Sequence, residues 1–92
     1  MKKYKIDEYL YSLNVTDYKK ASRLIPKILG VAFNTFHNYR RIEIDDPQDI
    51  PYEKVIAMEK LFGLEAGKLA NRDLNFKTLR EIFNEPSNLG VK

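Results

Sequence analysis

The chain contains no cysteine. That absence removes disulfides, thiolate catalysis and cysteine-ligated zinc together, and it fits a cytoplasmic protein. Histidine is nearly as scarce, with His37 standing alone. A catalytic imidazole needs a nucleophile or a carboxylate arranged around it. The neighbours of His37 are Asn34, Thr35, Asn38 and Arg41, with no acid within one helical turn, and no set of metal ligands is spaced around it. The four glycines, Gly30, Gly63, Gly67 and Gly90, form no phosphate-cradling motif. The acidic group Glu43, Asp45, Asp46 and Asp49 lacks the sharp-turn Gly and the late Glu of a calcium loop. It reads as a solvated loop, with Asp49 near a helix start. No apolar run approaches the ~18 residues of a membrane span, and no basic-then-apolar leader opens the chain. The expectation is a soluble, cytoplasmic protein that is not an enzyme, with no cofactor, no metal, no membrane partner and no small-molecule substrate.

The 92 residues suit one domain, expected over 1–85 with a flexible tail at 86–92. The net charge of +3 is unevenly spread. Residues 1–41 hold nine Lys/Arg against three acids, a balance of +6. Residues 42–92 hold seven against ten, a balance of −3. A protein that approaches a polyanion from one side shows such a split, although lysines on helix surfaces also serve solubility alone.

Hydrophobic spacing predicts about five helices. Ile6, Tyr9, Leu10 and Leu13 form an i, i+3, i+4, i+7 stripe. A second helix is expected over about 17–29, with Thr16 as its N-cap and Asp17 in its first turn. Pro26 either kinks that helix or lies close to the start of a new one near Ser22. A third helix is expected over 33–41, then a loop over 42–50 with a short extended piece at Ile42–Ile44. A fourth covers about 51–62 and ends at Gly63. Residues 64–69 read as a further helical turn. A last helix, capped by Asp73 or Asn75, runs through Phe83.

Residues 22–41, SRLIPKILGVAFNTFHNYRR, carry the functional signal. Ile25 and Leu29 share one helical face, and Phe36 and Tyr39 share another. Gly30 lies between them, and Gly takes φ > 0 without steric cost. Two helices meeting sharply over a short turn that contains Gly define a helix-turn-helix. Phe33, Asn34, His37, Asn38 and Arg41 are left facing outward from the second of these helices. Amide and guanidinium groups pair with adenine and guanine edges.

These residues resemble the lambda-repressor-like (Cro and repressor type) helix-turn-helix family. Gly30, Val31 and Phe36 match its turn glycine, the apolar residue just after it and the apolar residue five further on. Ile25, Leu29 and Tyr39 match the remaining apolar slots. The segment DIPYEKVIAMEKLFGLEAGKL looks like the family's later helix, which closes over the reading unit. The resemblance covers about residues 16–70. It implies an all-α fold, sequence-specific binding of double-stranded DNA by a small transcriptional regulator, and a third helix in the major groove. Carried over by position, Phe33, Asn34, His37, Asn38 and Arg41 face the groove. Asn38 is the expected adenine reader, Arg41 a guanine or phosphate contact, and Phe33 a thymine-methyl contact or a core residue. Lys27, Arg40, Lys19 and Lys20 are phosphate candidates. Three positions depart from the family pattern. Pro26 replaces a small Ala, Ser22 replaces a Gln that often touches phosphate, and Ala32 replaces the usual Ser/Thr cap, so that Asn34 is the substitute cap.

One recognition helix reads too few base pairs for tight specificity, so a homodimer on a pseudo-palindrome is expected. Its surface is expected in the chain after residue 42, with Leu79, Ile82 and Phe83 as a stripe that either closes the core or meets a second copy. The alternative function is a helix-turn-helix fold used as a protein-protein interaction module. Six Tyr and five Phe suit that reading, because aromatics concentrate in interface cores.

Overall fold

The computed structural model describes residues 1–71 and 76–86. Among them the chain forms five α-helices and no strand: α1 (Ile6–Tyr11), α2 (Val15–Leu29), α3 (Phe33–Arg41), α4 (Tyr52–Leu61) and α5 (Leu79–Phe83). The all-α expectation holds, and α3 matches its sequence-based bounds. No helix among the described residues is long and apolar enough to cross a membrane.

The N-cap of α2 differs from expectation. Asn14 takes the cap, with its Oδ1 accepting the Asp17 N–H at 2.8 Å, and Thr16 falls inside the first turn. Asn is as strong a cap as Ser or Asp, and its two-residue lead lengthens the helix. Pro26 lies inside α2 without ending it, and its ring is buried. The missing N–H leaves the Ser22 carbonyl without its helical donor. Burial of that apolar ring works against the loss. The Ser22 hydroxyl is also buried without a partner.

At its C-terminus α2 ends on Gly30, at φ 71° and ψ 30°. The Gly30 N–H donates to Lys27 O at 3.1 Å and the Val31 N–H to Pro26 O at 3.0 Å. This is the Schellman pattern, which needs a residue in the left-handed region and so favours Gly. Lys54 Nζ donates to Leu29 O at 2.6 Å. Three of the carbonyls that a helix end leaves without partners are thereby satisfied, one of them from α4.

Ile6 and Leu10 of α1, Ile25 and Leu29 of α2, Phe36 of α3 and Met58 of α4 form the core with Ile42, Ile50 and Leu69. Val31, Tyr39, Tyr9 and Phe62 pack against it from the edges. The buried faces of α1, α2, α3 and α4 thus point to one centre, and α5 adds nothing to it.

The first five residues have a role that periodicity did not reveal. Lys3 N–H donates to Ile42 O and Ile44 N–H to Met1 O; Lys5 N–H donates to Leu69 O and Asn71 N–H to Lys3 O. Isolated antiparallel bridges join Lys2 to Glu43 and Tyr4 to Ala70. The N-terminal strip therefore links the extended piece at 42–44 to the chain after α4. Lys3 Nζ adds bonds to Asp46 O and Gln48 O, both at 2.7 Å.

The expected helical turn at 64–69 does not form. Gly67 takes φ 85°, and the buried Glu59 carboxylate of α4 accepts the Leu69 N–H at 3.1 Å. A side chain thus supplies the acceptor that a helix would have taken from the backbone. The candidate caps Asp73 and Asn75, and the tail 87–92, lie outside the described residues. Helix α5 is capped instead by Thr78, which accepts from the Glu81 N–H at 3.1 Å.

Phe36 is 1% exposed at the centre of this core. Phe36→Ala is expected to cost about 3–5 kcal/mol, and Asn38→Ala, on an exposed position, no more than about 0.5 kcal/mol. Urea titration of both variants checks this. Equal midpoints would mean that the phase assigned to α3 is wrong.

Candidate nucleic-acid interface

Helix α3 has nine residues and two unlike faces. Phe36 and Arg40, four apart, are buried, and Tyr39 beside them is half-buried. At ~100° per residue the opposite face is centred on Asn34, Asn38 and Arg41, and all three are exposed. Phe33 and His37 border that face. Phe33 is 58% exposed, so it is not the core residue that the sequence also allowed. Its ring stacks on His37 at 6.0 Å between centroids, with 14° between planes.

One turn further on, Arg41 Nη2 lies 3.4 Å from His37 Nε2. A guanidinium only donates, so Nε2 is the acceptor there. Phe33, His37 and Arg41 therefore form one ladder at i, i+4 and i+8, which restrains three long side chains along the outward edge. Asn38 and Arg41 also border a small polar notch of about 210 Å³ with Ile42, Asp46 and Gln48.

No side chain caps α3. Its N-cap position is Ala32, which makes no cap hydrogen bond, and Asn34 lies exposed in the first turn. At the other end Lys2 Nζ approaches Arg41 O at 3.5 Å. Lys27, in the last turn of α2, is exposed, as are Lys19 and Lys20.

Arg40 departs from its expected place. It was a candidate for phosphate contact, yet its guanidinium is drawn inward and the residue is only 8% exposed. Nε donates to Asp7 Oδ1 of α1 at 2.5 Å, and Nη2 donates to Tyr11 OH at 3.2 Å and Tyr18 OH at 3.1 Å. The two tyrosine rings stack at 5.5 Å, and the guanidinium carbon lies 5.8 Å from each ring centre. Burial works against the charge of Arg40, but Asp7 and Tyr18 outweigh it and hold the guanidinium protonated. Donation from Arg40 in turn draws the Tyr18 phenol below its ordinary range. The spacing of Arg40, four residues after Phe36, was the signal that it shares the buried face. Its partners lie 22 to 33 residues away and left no local trace.

Three of the four acids of the 42–50 loop are engaged within the chain. Glu43 pairs with Lys2 and the N-terminal amine, Asp46 accepts the Gln48 N–H, and Asp49 accepts from Tyr4 OH and the Ile50 N–H. Among the described residues no group of acids, His or Cys is placed to hold a metal ion. Comparison with known proteins returned no match: no family model, no curated protein and no solved structure.

Because Arg40 is buried among groups from two other helices, its loss is a matter of stability. Arg40→Ala is expected to cost about 3–5 kcal/mol, the range for breaking a buried charge pair. Asp7→Asn should cost about 1–3 kcal/mol, since the Asp7 side chain remains 30% exposed. Thermal melts of both variants read this directly. An Arg40→Ala protein as stable as wild type would return Arg40 to the surface.

Proposed function

We propose that this protein binds double-stranded DNA in a sequence-specific manner as a small transcriptional regulator, with α2 and α3 acting as a lambda-repressor-like helix-turn-helix. The observation that carries the reading is the outward face of α3. It sets two amides, a guanidinium and an imidazole side by side on a helix whose inner face is fixed by Phe36 and Arg40. A helix fits the major groove of duplex DNA, and these are the groups that bond base edges there.

In this reading Asn38 bonds adenine through both atoms of its amide, and Arg41 takes guanine or a phosphate. Phe33, stacked on His37, presents an apolar edge of the kind that meets a thymine methyl. Asn34, free of a capping bond, is available as a second reader. The uncapped N–H groups of α3 and the exposed Lys27, Lys19 and Lys20 supply contacts to the phosphates. The charge split along the chain fits this assignment. Two copies on a pseudo-palindrome, with half-sites about 34–36 Å apart, double the bases read.

Three measurements test the reading. Selection from a random duplex pool should yield a symmetric site. Affinity for that site should fall by about a thousandfold between 50 and 200 mM salt if ~6 phosphates are neutralised. Asn38→Ala should weaken binding by roughly 1–3 kcal/mol and relax one base-pair preference, and Lys27→Ala should weaken all duplexes alike. Absence of duplex binding at low salt, or a flat salt response, would favour the interaction module.

A further inference from the structure

The segment around α5 carries four large apolar side chains: Phe76, Leu79, Ile82 and Phe83. Phe76, Leu79 and Phe83 are 83%, 69% and 69% exposed, and α5 buries no residue of its own. None of the four packs against the core. Leu79, Ile82 and Phe83 stand at i, i+3 and i+4 and form a single stripe. A helix of five residues has no independent stability in water, so this stripe needs a surface to lie on.

The rest of the chain has a matching surface. Beside α4 opens a cleft of about 710 Å³, lined chiefly by Ile50, Val55, Ile56 and Leu64, with Tyr4 and Ala66 among its walls. That volume is typical of sites that enclose an apolar guest. The chain's own α5 leaves this cleft open, although Ala70, just before the final segment, is one of its lining residues. Asp49 also lines the cleft, and α5 carries Arg80 directly beside its apolar stripe. Helix and cleft are thus complementary in polarity, and charges of both signs border each: Asp49 and Lys60 at the cleft, Arg80 and Glu81 on α5.

We infer that α5 of one copy seats in the α4 cleft of a second copy, reciprocally, so that two arms and two clefts close a two-fold dimer. Two copies contribute four phenylalanines, which bury about 600 Å² at ~150 Å² each. The leucines, the isoleucines and the cleft walls carry the contact into the ~1,200–2,000 Å² of a stable interface. The inference names the surface of the homodimer proposed above and does not depend on DNA.

The absence of cysteine makes the test clean. Ala66→Cys marks the cleft wall, and Asn84→Cys marks the end of α5 without touching its stripe. The two single variants, one carrying a mass tag, are mixed without DNA and treated with a short bis-maleimide. The expected product is a covalent pair of one tagged and one untagged chain. A Leu79→Ser/Phe83→Ser background should abolish that product and raise the dimer dissociation constant, read by sedimentation equilibrium, at least about tenfold. Circular-dichroism melts confirm that this background still folds. A dimer by sedimentation with no mixed product would overturn the arm exchange and leave the homodimer standing. A monomeric mass would overturn both. An internal cross-link in the Ala66→Cys/Asn84→Cys double variant would show that each arm covers its own cleft, which also overturns the inference.

Discussion

The buried guanidinium of Arg40 sets the orientation of α3, and everything proposed for the outer face depends on that orientation. Phe36 supplies one fixed point, and Arg40, one turn later, supplies a second through Asp7 and Tyr11 of α1 and Tyr18 of α2. A charge taken from water is costly unless its donors are met, so the guanidinium stays where these three oxygens are. Two anchors on one side leave the helix no freedom to roll. Asn34, Asn38 and Arg41 are therefore presented outward as a consequence of what holds the other face inward.

The same economy governs the rest of the molecule. The C-terminus of α2 is closed by Gly30, by Val31 and by Lys54 from α4, so the α2–α3 turn is tied to the helix that packs beneath it. The N-terminal strip joins the chain before α4 to the chain after it through backbone bonds. Tyr4 within that strip donates to Asp49, and burial together with that carboxylate pushes the phenol well above its usual range. It remains a donor throughout the physiological range. Burial alone would raise the Asp49 carboxyl, but the bonds from Tyr4 and the Ile50 N–H bring it below its usual range. Its contribution to stability is thus present above the ordinary Asp value of about 3.9 and is lost as pH falls through the lower folded value.

Much of this fold was legible in the sequence because its information is local. Three members of the α1 stripe (Ile6, Tyr9 and Leu10), the bounds of α3, the glycine at the α2–α3 turn and the extended piece at Ile42–Ile44 each follow from spacing or from backbone preference within a few residues; Leu13, the fourth member, lies beyond α1 and is exposed. What escaped has a common character: it is settled by partners far along the chain. Arg40 read as a surface cation because Asp7 and Tyr18 are remote. The turn at 64–69 read as helix because nothing nearby reveals that Glu59 claims the Leu69 N–H. Pro26 read as a kink or as the start of a new helix because its burial, which works against the lost hydrogen bond, is tertiary. Of the candidate site, Phe33, Asn34, His37, Asn38 and Arg41 share the outer edge that periodicity assigned to them, and Arg40 does not.

The central claim is that the outward face of α3 is the surface that meets duplex DNA. Backbone amide chemical shifts of the ¹⁵N-labelled protein, followed as a selected duplex is added at low salt, test it most directly. The account predicts that the largest changes fall on Phe33, Asn34, His37, Asn38 and Arg41, with smaller ones near Lys27. The amides of Ile6, Leu10 and Met58 in the core should hardly move. Changes concentrated instead on the α4 cleft, around Ile56 and Ala66, with α3 unmoved, would contradict it.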